Sequence, residues 1–199
     1  MSQSPSDLTS LVGSRICHDL ISPLGAIANG IELLTMSGVQ KSPELALISE
    51  SVQNANARIK FFRVAYGAAR SNQQIGRGEI VTILSDMSKG SRIVYLWEPR
   101  GDCIRSDVRI AFLLVQCLES AMPYGGSIRA MSNGKTWTLS AAADKMKFDT
   151  NLWESLSNPL SSFDHSAAEV HFALAPQVLA IHKKALKVRL SEAEIRVQF

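Results

Sequence analysis

Apolar side chains recur at Ile16, Leu20, Leu24, Ile27, Ile31 and Leu34, in steps of 4, 4, 3, 4 and 3. That spacing is the stripe of an amphipathic helix and predicts one over about residues 6 to 37, with Gly38 as its stop. A second helix begins at Ser42-Pro43-Glu44, which supplies a capping hydroxyl, a proline for the first turn and an early acid. It continues through Leu45, Ile48, Val52, Ala55, Ile59, Phe62 and Tyr66, whose alternating steps of 3 and 4 are those of a coiled-coil seam.

The two helices are expected to form an antiparallel hairpin. One hairpin cannot cover two apolar stripes by itself, so a dimeric four-helix bundle is expected, through Ile16, Leu20, Ile27, Ile48, Val52, Ile59 and Phe62. The alternative is that the stripes pack on the rest of the same chain.

Past the polar, glycine-containing stretch GAARSNQQIGRG, residues 67–78, long helices give way to alternating elements. Helices are expected over about 79–89, 107–122 and 166–183. Strands are expected at Ser91–Trp97, Ser127–Met131, Thr136–Ala142, Leu186–Leu190 and Glu194–Phe199. The fold class is therefore α+β: a helical hairpin over residues 1–75, then an α/β sandwich over 76–199 with helices on one face.

Composition narrows the setting. The chain has 199 residues, 46% of them hydrophobic and 20% charged, which suits a buried core. Asp7, Arg15, His18 and Asp19 interrupt the first twenty residues, so no signal-peptide core is expected. No later run reaches membrane-spanning length, which predicts a cytoplasmic protein without a membrane partner. Cys17, Cys103 and Cys117 are an odd set without paired spacing, suggesting neither disulfides nor a metal site. The net charge of +3 is spread through the chain with no basic tract, so no nucleic-acid partner is expected. Trp97, Trp137 and Trp153 read as core, and His165, His171 and His182 as structural or surface residues.

His18 is different. On the first helix it lies about 165° from the centre of the apolar stripe, so it points away from the core. Its face continues through Arg15, Ser22, Gly25 and Asn29, small or polar residues that leave the ring open to a docking partner. A lone helical histidine is ordinarily a solvated surface residue; the neighbours are what single this one out. Pro23, five positions on, cannot donate to the carbonyl of Asp19.

With hairpin and sandwich placed, the segment HDLISP, residues 18–23, resembles the phosphoacceptor box of two-component histidine kinases, a histidine followed by an acid and then a proline. The segment FLLVQCLESAMPYGGSIRA, residues 112–130, resembles the helix, turn and strand of their ATP-binding (Bergerat) fold, and VHFALAPQVLAIHKK resembles the helix after the ATP lid. With RIKFFRVAYGAAR ending the second helix, the whole is most similar to histidine phosphotransferases of the ChpT type. The departures matter too. Gln116 and Ser120 stand where a kinase has magnesium- and nucleotide-binding asparagines, and DKMKFDTNLWESL and FDHSAAEVHFAL contain no glycine. Loops without glycine do not let the backbone approach a triphosphate, so no nucleotide cofactor is expected.

The resemblance implies a phosphorelay protein in which His18 takes a phosphoryl group from one response-regulator receiver aspartate and gives it to another, without ATP. Receiver domains, one of them in a hybrid histidine kinase, would be the partners and would bring the magnesium. Asp19 is then the acid that fixes the ring tautomer, and the face of Arg15, Ser22, Gly25 and Asn29 binds the partner. Ser22 stands where kinases with phosphatase activity carry a water-orienting residue, although a hydroxyl there can simply bond to the preceding turn. Two rivals are a divergent ATP-dependent histidine kinase and a non-catalytic dimer that sequesters a response regulator.

Overall fold

The computed structural model describes residues 5–37, 42–69, 72–157 and 165–199. The expected stop at Gly38 lies outside the described residues. The chain divides into two compact units, Met1–Ala68 with Thr82–Gly90, and Ala69–Val81 with Ser91–Phe199.

In the first unit, α1 (Pro5–Met36) runs unbroken through Pro23, and α2 (Pro43–Ala65) packs against it. The start of α2 follows from its residues. Ser42 is extended and its Oγ accepts from the Leu45 N–H at 3.2 Å, Pro43 needs no amide partner in the first turn, and Glu44 sits at the positive end of the helix. At the other end the Tyr66 N–H donates to the Phe62 carbonyl, and Gly67 follows where a Cβ would meet the Arg63 carbonyl oxygen at 2.2 Å. A side chain there would drive into the last turn of α2. The residues Thr82–Gly90, which are the later part of α3 (Arg77–Lys89) and the glycine after it, complete this unit.

The face of α1 turned to α2 is not the centre of its apolar stripe. Cys17 is buried and Ile21, Leu24, Ala28 and Ile31 are half-buried, whereas Val12, Ile16, Leu20, Ile27 and Leu34 are exposed. On α2, Val52 is buried and Ile59 and Phe62 half-buried, while Leu47 and Ile48 are exposed. The hairpin thus satisfies one edge of each stripe and leaves the other in water.

The second unit is built on a five-stranded sheet of order β2-β4-β5-β7-β6. Its strands are β2 (Ile93–Trp97), β4 (Gly126–Ser132), β5 (Trp137–Ala142), β6 (Lys187–Leu190) and β7 (Glu194–Gln198). β2 runs parallel to β4, and every other pairing is antiparallel. Helix α4 (Arg105–Ser120) packs on β4 and β5, and α6 (Val170–Ile181) packs on α4. Ten residues of α4 are buried, from Ser106 to Leu118. Its turn into β4 is made by Gly125 at φ +99°, where a Cβ would meet the Arg92 carbonyl oxygen at 2.4 Å.

The three tryptophans are buried, as expected of core residues. Trp97 packs edge-on against Phe112 and tilted against Trp137, which stacks on Phe199. The Trp137 indole N–H and the Lys184 ammonium both donate to Asp107, so the half-buried carboxylate is paired on each oxygen.

Two features differ from the sequence reading. Residues 150–157 form a helix, α5 (Thr150–Ser157), inside the stretch read as a glycine-free loop. Asp149 caps it, its Oδ1 accepting from the amides of Asn151 and Leu152, and Leu152, Trp153 and Leu156 are buried. The small sheet of β1 (Gln74–Ile75) and β3 (Cys103–Ile104) was not expected either; two-residue strands carry no period to read. The late helix begins as a 3-10 turn, Ala167–Glu169, closed by a reciprocal Ser166–Glu169 capping box.

Candidate functional site

Four of the six expected site residues, Ser22, Gly25, Asn29 and His18, lie on one face of α1, and the structure leaves that face open. The His18 side chain is 82% exposed. Ser22 and Asn29 are exposed, and a Cβ built on Gly25 would meet nothing within 4 Å. The turn that carries His18 is fixed from behind. Ser14 Oγ accepts from the Ala68 N–H at 3.1 Å, and Gly13 lets α1 approach the end of α2 so closely that a Cβ there would stand 3.2 Å from Tyr66 Cβ. Cys17, adjacent to His18, points inward; burial pushes its thiol up, against the influence of the Arg63 guanidinium. A protonated, inward thiol is not a competing nucleophile.

His18 Nδ1 lies 3.1 Å from Asp19 Oδ1, and the Arg15 Nε–H donates to Asp19 Oδ2 at 2.7 Å. The hydrogen bond from His18, and after it the Arg15 guanidinium, hold the Asp19 carboxyl below the usual carboxylate range. Asp19 is thus an acceptor for both neighbours at neutral pH. When Nδ1 carries the proton and donates it to Asp19, the lone pair stands on Nε2, for which the described residues offer no hydrogen-bond partner. In that tautomer the arrangement leaves an exposed imidazole nitrogen able to act as a nucleophile.

The sequence reading missed the Arg15–Asp19 contact: it gave Arg15 only to the partner-binding face. The i, i+4 spacing was the available signal.

In the second unit, the Ser120 hydroxyl donates to the Cys117 carbonyl of its own helix at 2.7 Å, and Gln116 is half-buried on the same helix. His165 hydrogen-bonds Ser155 across 3.2 Å, and buried His171 packs against Phe172. Burial pushes His171 down to about 4, against the pull of Glu169. Among the described residues no three His, Cys, Asp or Glu side chains are grouped to hold a metal ion, and no helix is long and apolar enough to cross a membrane.

Comparison with known proteins identifies the family. Protein phosphotransferase ChpT of Brucella abortus (strain 2308) is 37% identical over 130 residues, covering 64% of this chain; the chain spans 62% of the length of that relative. The solved structure of a bacterial phosphotransferase is 24% identical, with a TM-score of 0.69 over 100% of this chain and 98% of that one, and so shares its fold. The family described as histidine phosphotransferase C-terminal domain matches residues 77–194, more than half of the chain. By that match the chain belongs to the histidine phosphotransferases.

Proposed function

We propose that the protein relays a phosphoryl group between aspartates of response-regulator receiver domains through His18, without ATP. The observation that carries this reading is the state of His18: exposed, with Nδ1 on Asp19 and Nε2 open. In the forward step, Nε2 attacks the phosphorus of a receiver aspartyl phosphate in line with the leaving carboxylate oxygen. A P–N bond forms, the acyl P–O bond breaks, and the electron pair leaves with the receiver carboxylate. Positive charge develops on the ring, and Asp19, accepting from Nδ1–H, stabilises it. The receiver would bring a magnesium ion that neutralises charge on the phosphoryl oxygens. The reverse step returns the group to a second receiver.

Ser22, Gly25 and Asn29 would form the docking face beside the ring. The receivers would include that of a hybrid histidine kinase, and the setting would be the cytoplasm. A second copy of the chain would cover Val12, Ile16, Leu20, Ile27 and Leu34, which share one exposed arc of α1, and Ile48 of α2. A cavity of about 380 Å³ between α1 and α2, lined by Ile31, Leu45 and Gln53 among others, lies at the hairpin end far from His18 and would take side chains of that copy. His18 lies on the opposite side of α1 and would stay accessible in the dimer.

The test is transfer from a receiver carrying labelled phosphate. Label is expected on the parent protein as an acid-labile, alkali-stable adduct and none on His18→Ala, with the fold unchanged because the side chain is exposed. Label on His18→Ala at the parent rate would overturn the proposal and favour a receiver-sequestering dimer.

A further inference from the structure

Arg15 and Asp19 stand one turn apart on an exposed stretch of α1, where a pair at this spacing is ordinarily a solvated surface contact of small worth. This pair differs in what the acid does with its second oxygen. Residues i and i+1 of a helix diverge by about 100°, so Asp19 does not face the ring of His18 by position alone. Both side chains lean toward the N-terminal turn, as helical side chains do, and Arg15 stands in that turn, three residues before His18 and four before Asp19. Its Nε–H takes Oδ2 at 2.7 Å while Oδ1 lies 3.1 Å from His18 Nδ1. Each carboxylate oxygen therefore has one partner, and the plane of the group is set by the two together. With one partner removed, a carboxylate whose side chain is 48% exposed is free to turn to water.

We propose that Arg15 is a positioning residue for phosphoryl transfer, holding Asp19 so that His18 keeps its proton on Nδ1 and presents Nε2. The role rests on the reading of His18 as the phosphoryl acceptor. It differs from a role in receiver docking, which would act on affinity for the partner and leave the ring unchanged. A purely structural i, i+4 pair would move neither the ring proton nor the transfer rate.

The experiment has two arms on the full chain. In the first, a long-range proton–nitrogen spectrum of protein labelled with ¹⁵N in histidine reads the protonated ring nitrogen of His18 without any receiver present. The parent is expected to show the Nδ1–H form, Arg15→Ala a mixture of both tautomers, and Arg15→Lys an intermediate population, since an ammonium supplies the charge without the planar fork. In the second, transfer from a labelled receiver is followed over a range of receiver concentrations. Arg15→Ala is expected to lower the maximal rate about tenfold, the lower end of the loss found when the hydrogen-bond partner that orients a metal-bound histidine is removed, with the half-saturating receiver concentration unchanged. An Arg15→Ala ring that keeps the parent tautomer overturns the proposal, as does a loss that falls wholly on the half-saturating concentration. Label on His18→Ala would overturn the acceptor assignment itself, and the spectrum separates that result from a failure of Arg15.

Discussion

Helices α1 and α4 are built from similarly apolar sequence and use it in opposite ways. Over 32 residues α1 buries only Ser10 and Cys17 among its described side chains, while α4, half as long, buries ten. The apolar side chains of α4 are consumed by strands and helices of its own unit, and its aromatic neighbours Trp97 and Trp137 close over its first turns. Those of α1 are left half in water after α2 has packed. An apolar surface kept open on a stable element marks a place where something else binds. The same helix holds its one exposed histidine on the opposite side. The exposed histidine and the open apolar arc are therefore both carried by the hairpin, whereas α4 is covered within its own unit.

The largest test of that contrast is on assembly. Ile16→Glu combined with Ile27→Glu should leave the fold of a single chain intact, since both side chains are exposed, and should convert a dimer to a monomer in light scattering. A parent already monomeric at micromolar concentration would remove the contrast. Conversely, Phe112→Ala should cost about 3–5 kcal/mol and lower the melting temperature, because Phe112 is fully buried and its removal opens a cavity. Ile16→Ala, measured in a dimer-breaking background, should change thermal stability little.

A third measurement concerns acid. His171 is neutral in the folded chain down to about 4 because burial opposes its charge, while the unfolded chain takes up a proton near the ordinary value of about 6.5. Between those values the unfolded state binds more protons, so stability falls as the pH falls. From pH 7 to pH 5 the loss from this group should be about 2 kcal/mol, read as a drop in melting temperature that His171→Gln reduces. An unchanged pH dependence in the variant would show that His171 is not as sequestered as its burial indicates.

The smallest effect belongs to the docking face. Gly25→Arg should leave stability nearly unchanged, since a Cβ there meets open space, and should raise the receiver concentration needed for half-maximal transfer. Asp19→Asn should slow transfer and keep the same half-saturation, because it alters the ring and not the surface.

Periodicity made most elements legible. The cap of α2 at Ser42 follows from one hydroxyl before a proline and an acid, and α4 follows from a long apolar run between turn signals. Helix α5 was not legible as a helix, although its parts were present: Asp149 as cap, then Leu152, Trp153 and Leu156 at helical spacing. Eight residues are too few for a 3.6-residue period to stand out from a loop. The paired strands Gln74–Ile75 and Cys103–Ile104 leave still less, since each pairs with residues nearly thirty positions away.

For the site, the sequence by itself determined that His18 lies opposite an apolar stripe, that an acid follows it, and that small or polar residues share its face. Those are consequences of helical geometry, and a local period transmits them without knowledge of the rest of the chain. Only the tertiary structure decided which part of the stripe stays exposed, because α2 could pack at any of several angles around α1 and the two helices chose the edge through Cys17, Leu24 and Ile31. It also decided how the Asp19 carboxylate divides between Arg15 and His18. Side-chain rotamers on an exposed helix are not fixed by spacing; they are settled by which partners lie within hydrogen-bond reach, and that is a property of three dimensions.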